Sequence, residues 1–259
     1  MAENDMFSLD GLVAVVIGGG GVLAGEMASG LARAGADIAI VDVSEPGAEA
    51  RAKSIRETTG RRAIGIKADA TSKADLQKAC DRVVAELGHV DILLNAAGIN
   101  SGTPFFEISE EEWHRILDID LKSVFLACQV FGRVMVDTGR GGSVINISSA
   151  SSSPPLSKVF TYSVSKGGVN QITQFLAREW APHNVRVNAI LPGFFPAEQN
   201  RKLLTEERTN QILNHTPMRR FGDAGELIGA AVYLSSPRAA SFVTGSILRV
   251  DGGFLAMTI

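Results

Sequence analysis

Tyr162 and Lys166 stand four residues apart in the segment T-Y-S-V-S-K-G-G-V. Four residues is just over one helical turn, so both side chains project from one face of a helix. A phenol ordinarily ionises near pH ~10 and is a poor acid or base at neutrality. A fixed ammonium nearby favours the phenolate and makes the phenol useful for proton transfer. The same pair also arises as plain neighbours on solvated helices, so its meaning depends on the rest of the chain. A second feature is Gly18-Gly19-Gly20-Gly21, between an apolar run and a helical pattern. Such a turn lets backbone N–H groups approach a pyrophosphate at the helix N-terminus, although glycine clusters also form simple tight turns. Asp42 ends the next apolar run, roughly 20 residues further on, where a carboxylate accepts bonds from adenosine ribose hydroxyls. Its charge opposes a 2′-phosphate, and no Arg directly follows it, so NAD is expected over NADP. The alternative is that Asp42 only caps the next helix.

The elements that must position these groups follow from the apolar pattern. Residues 12–17, 37–42, 63–67, 91–95, 142–148, 184–190 and 245–250 read as short strands rich in Val, Ile and Leu. They lack clean alternation, which suits parallel strands covered on both faces. Helical patterns lie near 23–35, 45–59, 72–87, 109–137, 159–181 and 223–235. This alternation predicts right-handed βαβ units and one doubly wound parallel sheet of the α/β class. Asp69, after the third strand, and Asn95-Ala96-Ala97-Gly98, after the fourth, fall at carboxyl ends of strands, the edge where ligands bind in open α/β sheets. There is no repeat of solenoid period. An irregular region at 192–217 reads as a loop insertion over the strand ends.

Composition narrows the class. The 259 residues suit one large α/β domain. A hydrophobic content of 45% is ordinary for a globular protein. The net charge of -3, with scattered Lys and Arg, argues against a nucleic-acid or anionic-membrane partner. Cys80 and Cys128 suggest neither a disulfide framework nor a metal site, which fits a cytoplasmic location. The four His are dispersed, so no metal is expected. No apolar run reaches the ~18 residues of a membrane span.

Taken together, the glycine turn, N-A-A-G at 95–98, Ser149, Tyr162, Lys166, Asn188 and Pro192-Gly193 resemble the short-chain dehydrogenase/reductase family over residues 8–254. Ser149 lies thirteen residues before Tyr162, as the family's catalytic serine does. The resemblance implies a single Rossmann-type domain over 8–255, with the 192–217 insertion covering substrate. It implies a homo-oligomer, a tetramer, built on the long helices at 109–137 and 159–181. It implies Ser149, Tyr162, Lys166 and, at the position of the family's active-site asparagine, Asp120 as the catalytic set. It places the dinucleotide on Gly18, Gly20, Gly21, Val22, Leu23 and Asp42, then on Asp69, Ala70, Asn95, Ala96, Ala97 and Gly98. Tyr162, Lys166, Pro192, Gly193 and Phe195 complete that surface. Within the family, G-G-G-G-V-L-A-G and P-G-F-F-P-A-E-Q-N-R are similar to D-mannonate oxidoreductase and gluconate 5-dehydrogenase-like members. That likeness implies a small sugar-acid substrate, touching Ser149, Ser151, Tyr162, Phe194, Gln199, Asn200 and Arg201. Arg201 is the candidate partner of the substrate carboxylate; the opposite reading has Arg201 in solvent and Phe194 and Phe195 in the core. The chain departs from the family pattern at Ile17, Val22, Ala24, Asp120 and Ala197. Two other readings stay open: a reductase of 3-oxoacyl thioesters or small cyclic alcohols, and a non-catalytic nucleotide-binding protein on the same fold.

Overall fold

The computed structural model describes residues 6–196 and 205–257. Along these residues run β1 (Val13–Ile17), α1 (Val22–Arg33), β2 (Asp37–Asp42), α2 (Glu45–Thr59), β3 (Ala63–Lys67), α3 (Lys73–Leu87) and β4 (Ile92–Asn95). They continue with α4 (Glu110–Leu117), α5 (Ser123–Thr138), β5 (Gly142–Ile147), α6 (Phe160–Trp180), β6 (Val185–Pro192), α7 (Glu206–His215), α8 (Ile228–Ser235) and β7 (Ile247–Val250). The strands form one parallel sheet in the order β3-β2-β1-β4-β5-β6-β7. The doubly wound sheet read from the sequence is therefore present, with strand ends moved by one or two residues. Strand order reverses between β1 and β4, and the carboxyl ends there open the crevice typical of such sheets.

Why these runs make buried strands is visible in β1. All five of its residues are buried. Val13, Val15 and Ile17 join the core that contains Val83, Phe131 and Met135, while Ala14 and Val16 join the one with Met27, Leu31 and Leu234. Successive side chains point to opposite faces, so a strand covered on both faces needs apolar residues throughout. Three of the helices, α2, α3 and α4, start where short polar side chains bind their free N–H groups: Ser44 accepts from Gly47 N, Ser72 from Asp75 N and Ser109 from Glu112 N. Gly60, at φ +71°, closes α2 in the left-handed region.

Two expected helices differ from their expectation. The 109–137 helix is interrupted by a π-turn at Asp118–Lys122, in which Ser123 N donates to Asp118 O five residues back. The extra residue shifts the helical phase and leaves Asp120 fully buried between α4 and α5. The 223–235 segment begins with a 3-10 turn, where Asp223 and Glu226 form a capping box, before α8 proper. The expected 192–217 insertion contains the loop 193–196 and the helix α7.

Candidate active site

The end of β5, the turn after it and the first half of α6 bring Ser149, Tyr162 and Lys166 together. Lys166 is 3% exposed, and its Nζ donates to Ile147 O, the last carbonyl of β5, at 3.1 Å. The same Nζ lies 5.4 Å from the centroid of the Tyr162 ring. One helical turn thus holds a cation behind the phenol, as the four-residue spacing requires. Ser149 caps the 3-10 turn Ala150–Ser152. Its Oγ accepts from Ser151 N at 3.2 Å and from Ser151 Oγ at 3.0 Å. With its lone pairs so engaged, the Ser149 hydroxyl proton is left to point at a ligand. Ser151 is buried and orients Ser149. Beneath them, Ser148 Oγ donates to Asn170 Oδ1 at 2.6 Å and ties the strand end to α6.

Asp120 reaches the same cluster from the π-turn. Its Oδ1 accepts from Ile99 N at 2.7 Å, and its Oδ2 lies 3.9 Å from Lys166 Nζ. Oδ2 has no hydrogen-bond partner among the described residues. Burial pushes the Asp120 carboxyl up to about 6, against the opposing pulls of Lys166 and the Ile99 N–H. Gly98 permits this approach, since a Cβ there would stand 3.3 Å from Asp120 Oδ2. The carboxylate thus faces Lys166 and holds the Ile99 backbone through its side chain, in the manner of a positioning residue.

The cofactor end is built at β1, β2 and β4. Gly18 has φ +77°, and a Cβ on it would lie 2.8 Å from Ala97 N, so only glycine fits against the 95–98 segment. Asp42 Oδ2 accepts from Gly20 N at 3.0 Å, and Oδ1 from Ser44 N at 2.9 Å. Asp42 does not cap α2; Ser44 does. Gly21 begins α1 with no side-chain cap and no acidic residue in the first turn. The N–H groups of Val22 and Leu23 are therefore open to an anion, which fits a dinucleotide pyrophosphate. Asp69, exposed at the end of β3, accepts from Thr71 N and Oγ1 at 2.8 Å each, with Ala70 half-buried beside it.

Some expected cofactor contacts take other forms. The Asn95 side chain is buried and donates to Asn146 Oδ1 at 2.8 Å. It braces β4 against β5, which leaves the backbone of Asn95, Ala96, Ala97 and Gly98 as the surface facing the crevice. Phe195 is a core residue: it is 6% exposed and fills the space over Gly222 that a Cβ would take. Gly193 N donates to Val250 O at 2.9 Å after Pro192 ends β6, and a Cβ on Gly193 would collide with Asp251. Gly25 makes room for the Arg51 guanidinium. Asn188 bonds Val243 O and Ser246 N, fixing β6 to the loop before β7.

Ser149, Ser151 and Tyr162 line a cavity of about 80 Å³, together with Gly193 and Phe194. Phe194 is half-buried, edge-on to Phe254 at 5.0 Å. Gln199, Asn200, Arg201 and the departure at Ala197 lie outside the described residues. Asn100, Leu156, Val159 and Arg208 also line the cavity and were not expected there. Nothing in their spacing marks them; Arg208 arrives only because α7 folds back toward the turn after Ser149. A larger cavity, about 410 Å³, shares Phe194 but contains none of Ser149, Tyr162 and Lys166. Trp113 stacks on Phe160 at 6.0 Å as a packing residue.

With the site assembled, its relatives can be placed. Residues 21–255 match the family model described as enoyl-(acyl carrier protein) reductase. The chain belongs to the short-chain dehydrogenase/reductase family, oxidoreductases of CH–OH groups built around a nicotinamide dinucleotide. It is 39% identical over 253 residues to the 2-dehydro-3-deoxy-D-gluconate 5-dehydrogenase of Escherichia coli K12, covering 96% of this chain and 98% of that protein. It is 34% identical to the gluconate 5-dehydrogenase of Gluconobacter oxydans, covering 98% of each. A crystal structure of a gluconate 5-dehydrogenase from Burkholderia cenocepacia, in complex with NADP and tartrate, superposes with a TM-score of 0.95. That protein is 34% identical, and the match covers 99% of this chain and 100% of that one.

Proposed function

We propose that the chain is an NAD(H)-dependent oxidoreductase that interconverts a secondary alcohol and a ketone on a sugar acid of the gluconate or mannonate type. The observation that carries this is one small cavity faced by both Ser149 and Tyr162, with buried Lys166 behind the phenol ring. The names of the relatives support the substrate class. The dinucleotide supplies or takes the hydride. Tyr162 exchanges a proton with the substrate oxygen. The Lys166 ammonium stands where negative charge builds when Tyr162 gives up its proton. Ser149 donates a hydrogen bond to that oxygen as charge develops on it. Asp120 holds Lys166 and the 95–99 backbone in register. A 3-oxoacyl thioester would want a wide apolar pocket; this cavity is small, about 80 Å³, and mixes apolar side chains with Asn100, Ser149, Ser151 and Arg208, which supports the sugar acid instead.

The preference for NAD rests on Asp42 and on the absence of an Arg beside it, where Val43 and Ser44 follow. The Burkholderia relative was solved with NADP, so cofactor choice needs its own measurement. A homo-oligomer, most simply a tetramer, accounts for the exposure of Phe125 on α5 and Phe175 on α6, 47% and 57%. Among the described residues no helix is long and apolar enough to cross a membrane. Free, buried Cys80 and Cys128 suit a reducing cytoplasm. Screening D-gluconate, D-mannonate and their keto forms with NAD and NADP, by absorbance of the reduced nicotinamide, tests the reading. Turnover of 3-oxoacyl thioesters with none of the sugar acids would refute it.

A further inference from the structure

We infer that Arg208 anchors the carboxylate of the substrate, so that this chain selects polyhydroxy acids over the matching neutral polyols. The inference rests on the sugar-acid reading above and assigns one residue to it. Among the described residues lining the cavity with Ser149 and Tyr162, Arg208 is the only charged one. The others are apolar or carry neutral hydroxyl and amide groups. Arg208 sits in the first turn of α7, its backbone N held by the Thr205 Oγ1 cap at 3.2 Å. Its guanidinium donates from Nη2 to Ser157 O at 3.1 Å. That bond ties α7 to the segment between Ser149 and Tyr162 and fixes where the charge sits.

A guanidinium has five N–H donors and no acceptor. One is engaged by Ser157, and among the described residues no carboxylate pairs with the group. A half-buried cation beside a small cavity, with donors to spare, is matched best by a ligand carboxylate, which binds the planar fork in two places. Ser149 and Tyr162 handle the reacting oxygen, so a cation elsewhere on the wall has no part in proton transfer. Its use is recognition. The competing account makes Arg208 a clip that only fastens α7 to the 156–159 segment. A clip affects every substrate alike and lowers thermal stability; a carboxylate anchor discriminates between acid and neutral ligands.

The test compares D-gluconate with D-glucitol, which keeps the carbon chain but carries a CH2OH in place of the carboxylate. Binding of each to the enzyme with NADH bound is measured by calorimetry for wild type, Arg208→Gln and Arg208→Lys. Arg208→Gln should weaken D-gluconate binding by about 30-fold or more, the scale of a lost charged hydrogen bond. D-glucitol and NADH binding should stay unchanged, and the small fall in melting temperature expected from losing the Ser157 bond cannot by itself separate the two ligands. Arg208→Lys should restore part of the loss, since the charge returns without the fork. Three results overturn the inference: equal loss for both ligands, D-gluconate binding unaltered in Arg208→Gln, or wild type that binds D-gluconate no more tightly than D-glucitol. Turnover of sugar acids by wild type is read separately. An enzyme that binds D-gluconate through Arg208 yet oxidises no sugar acid upholds the anchor and refutes the proposed reaction.

Discussion

Replacing Asp120 by Asn should remove a pH-dependent loss of stability that the wild-type protein carries. Asp120 is fully buried, and burial raises its carboxyl from 3.8 to about 6. A raised folded value for an acid means that the folded state binds the proton more tightly than the unfolded chain does. Stability is therefore highest below the unfolded value and falls as pH rises from about 4 to 6. The full shift corresponds to about 3 kcal/mol, of which about 2 kcal/mol develops between pH 4.5 and 7.5. Asn keeps an oxygen for the Ile99 N–H but does not titrate, so its curve lacks this component. Over this pH range the remaining carboxylates and imidazoles contribute to both curves, and loss of the carboxylate beside Lys166 adds a constant offset. The difference in melting temperature, Asn variant minus wild type, should thus grow by roughly 4–8 °C over that range. Differential scanning calorimetry at several pH values provides the measurement. Turnover should stay within about tenfold of wild type, ~1.4 kcal/mol in the barrier, with a shifted pH–rate profile. Parallel melting curves and superimposable pH–rate profiles would show that the Asp120 carboxyl does not change charge in this range, and the burial argument would fail.

Tyr162→Phe keeps the ring that packs before Lys166 and removes only the hydroxyl; kcat should fall by roughly 100-fold or more, while NADH binding by fluorescence titration stays within about threefold. Wild type should show higher kcat/KM with NAD than with NADP, and Asp42→Ala should narrow that ratio; a wild-type preference for NADP would sink the role given to Asp42. Light scattering at micromolar concentration should report a symmetric oligomer, and a monomer would leave the exposed Phe125 and Phe175 without an account.

Most of the architecture was legible because β1, β2 and β4 are nearly uninterrupted apolar runs. A strand buried on both faces is the use that fits Val13–Ile17 or Ile92–Asn95. The clustering of Ser149, Tyr162 and Lys166 was legible for a related reason: helical periodicity fixes the Tyr–Lys pair, and the end of β5 fixes the serine. What remained hidden depends on contacts far apart in sequence. Asn95 reads as a ligand-facing residue at a strand end, yet it turns inward because Asn146 stands opposite it in the β4–β5 register. Phe195 reads as part of a binding loop, yet Gly222 opens a core site for its ring. The π-turn carries no residue signal of its own in I-L-D-I-D-L-K, and Arg208 joins the cavity only through the placement of α7.

The departures from the family pattern are better understood as a compensated set than as separate losses. Ile17 is 2% exposed and contributes apolar packing beneath the glycine turn. The turn itself is braced from the neighbouring strand, by Asp42 on Gly20 N and by Val41 O on Gly18 N at 2.8 Å. Val22 occupies the first position of α1 with its side chain half in solvent, so it does not obstruct the open N–H groups beside it. Ala24, 4% exposed, belongs to the core between α1 and the sheet. Asp120 accepts from the Ile99 backbone and faces Lys166, so its negative charge answers the one buried cation of the cluster. Each of these four replacements leaves the backbone donors of the turn and the groups around Tyr162 in place. That is the arrangement a working site requires, and the Tyr162→Phe measurement decides between a working site and the remnant of one.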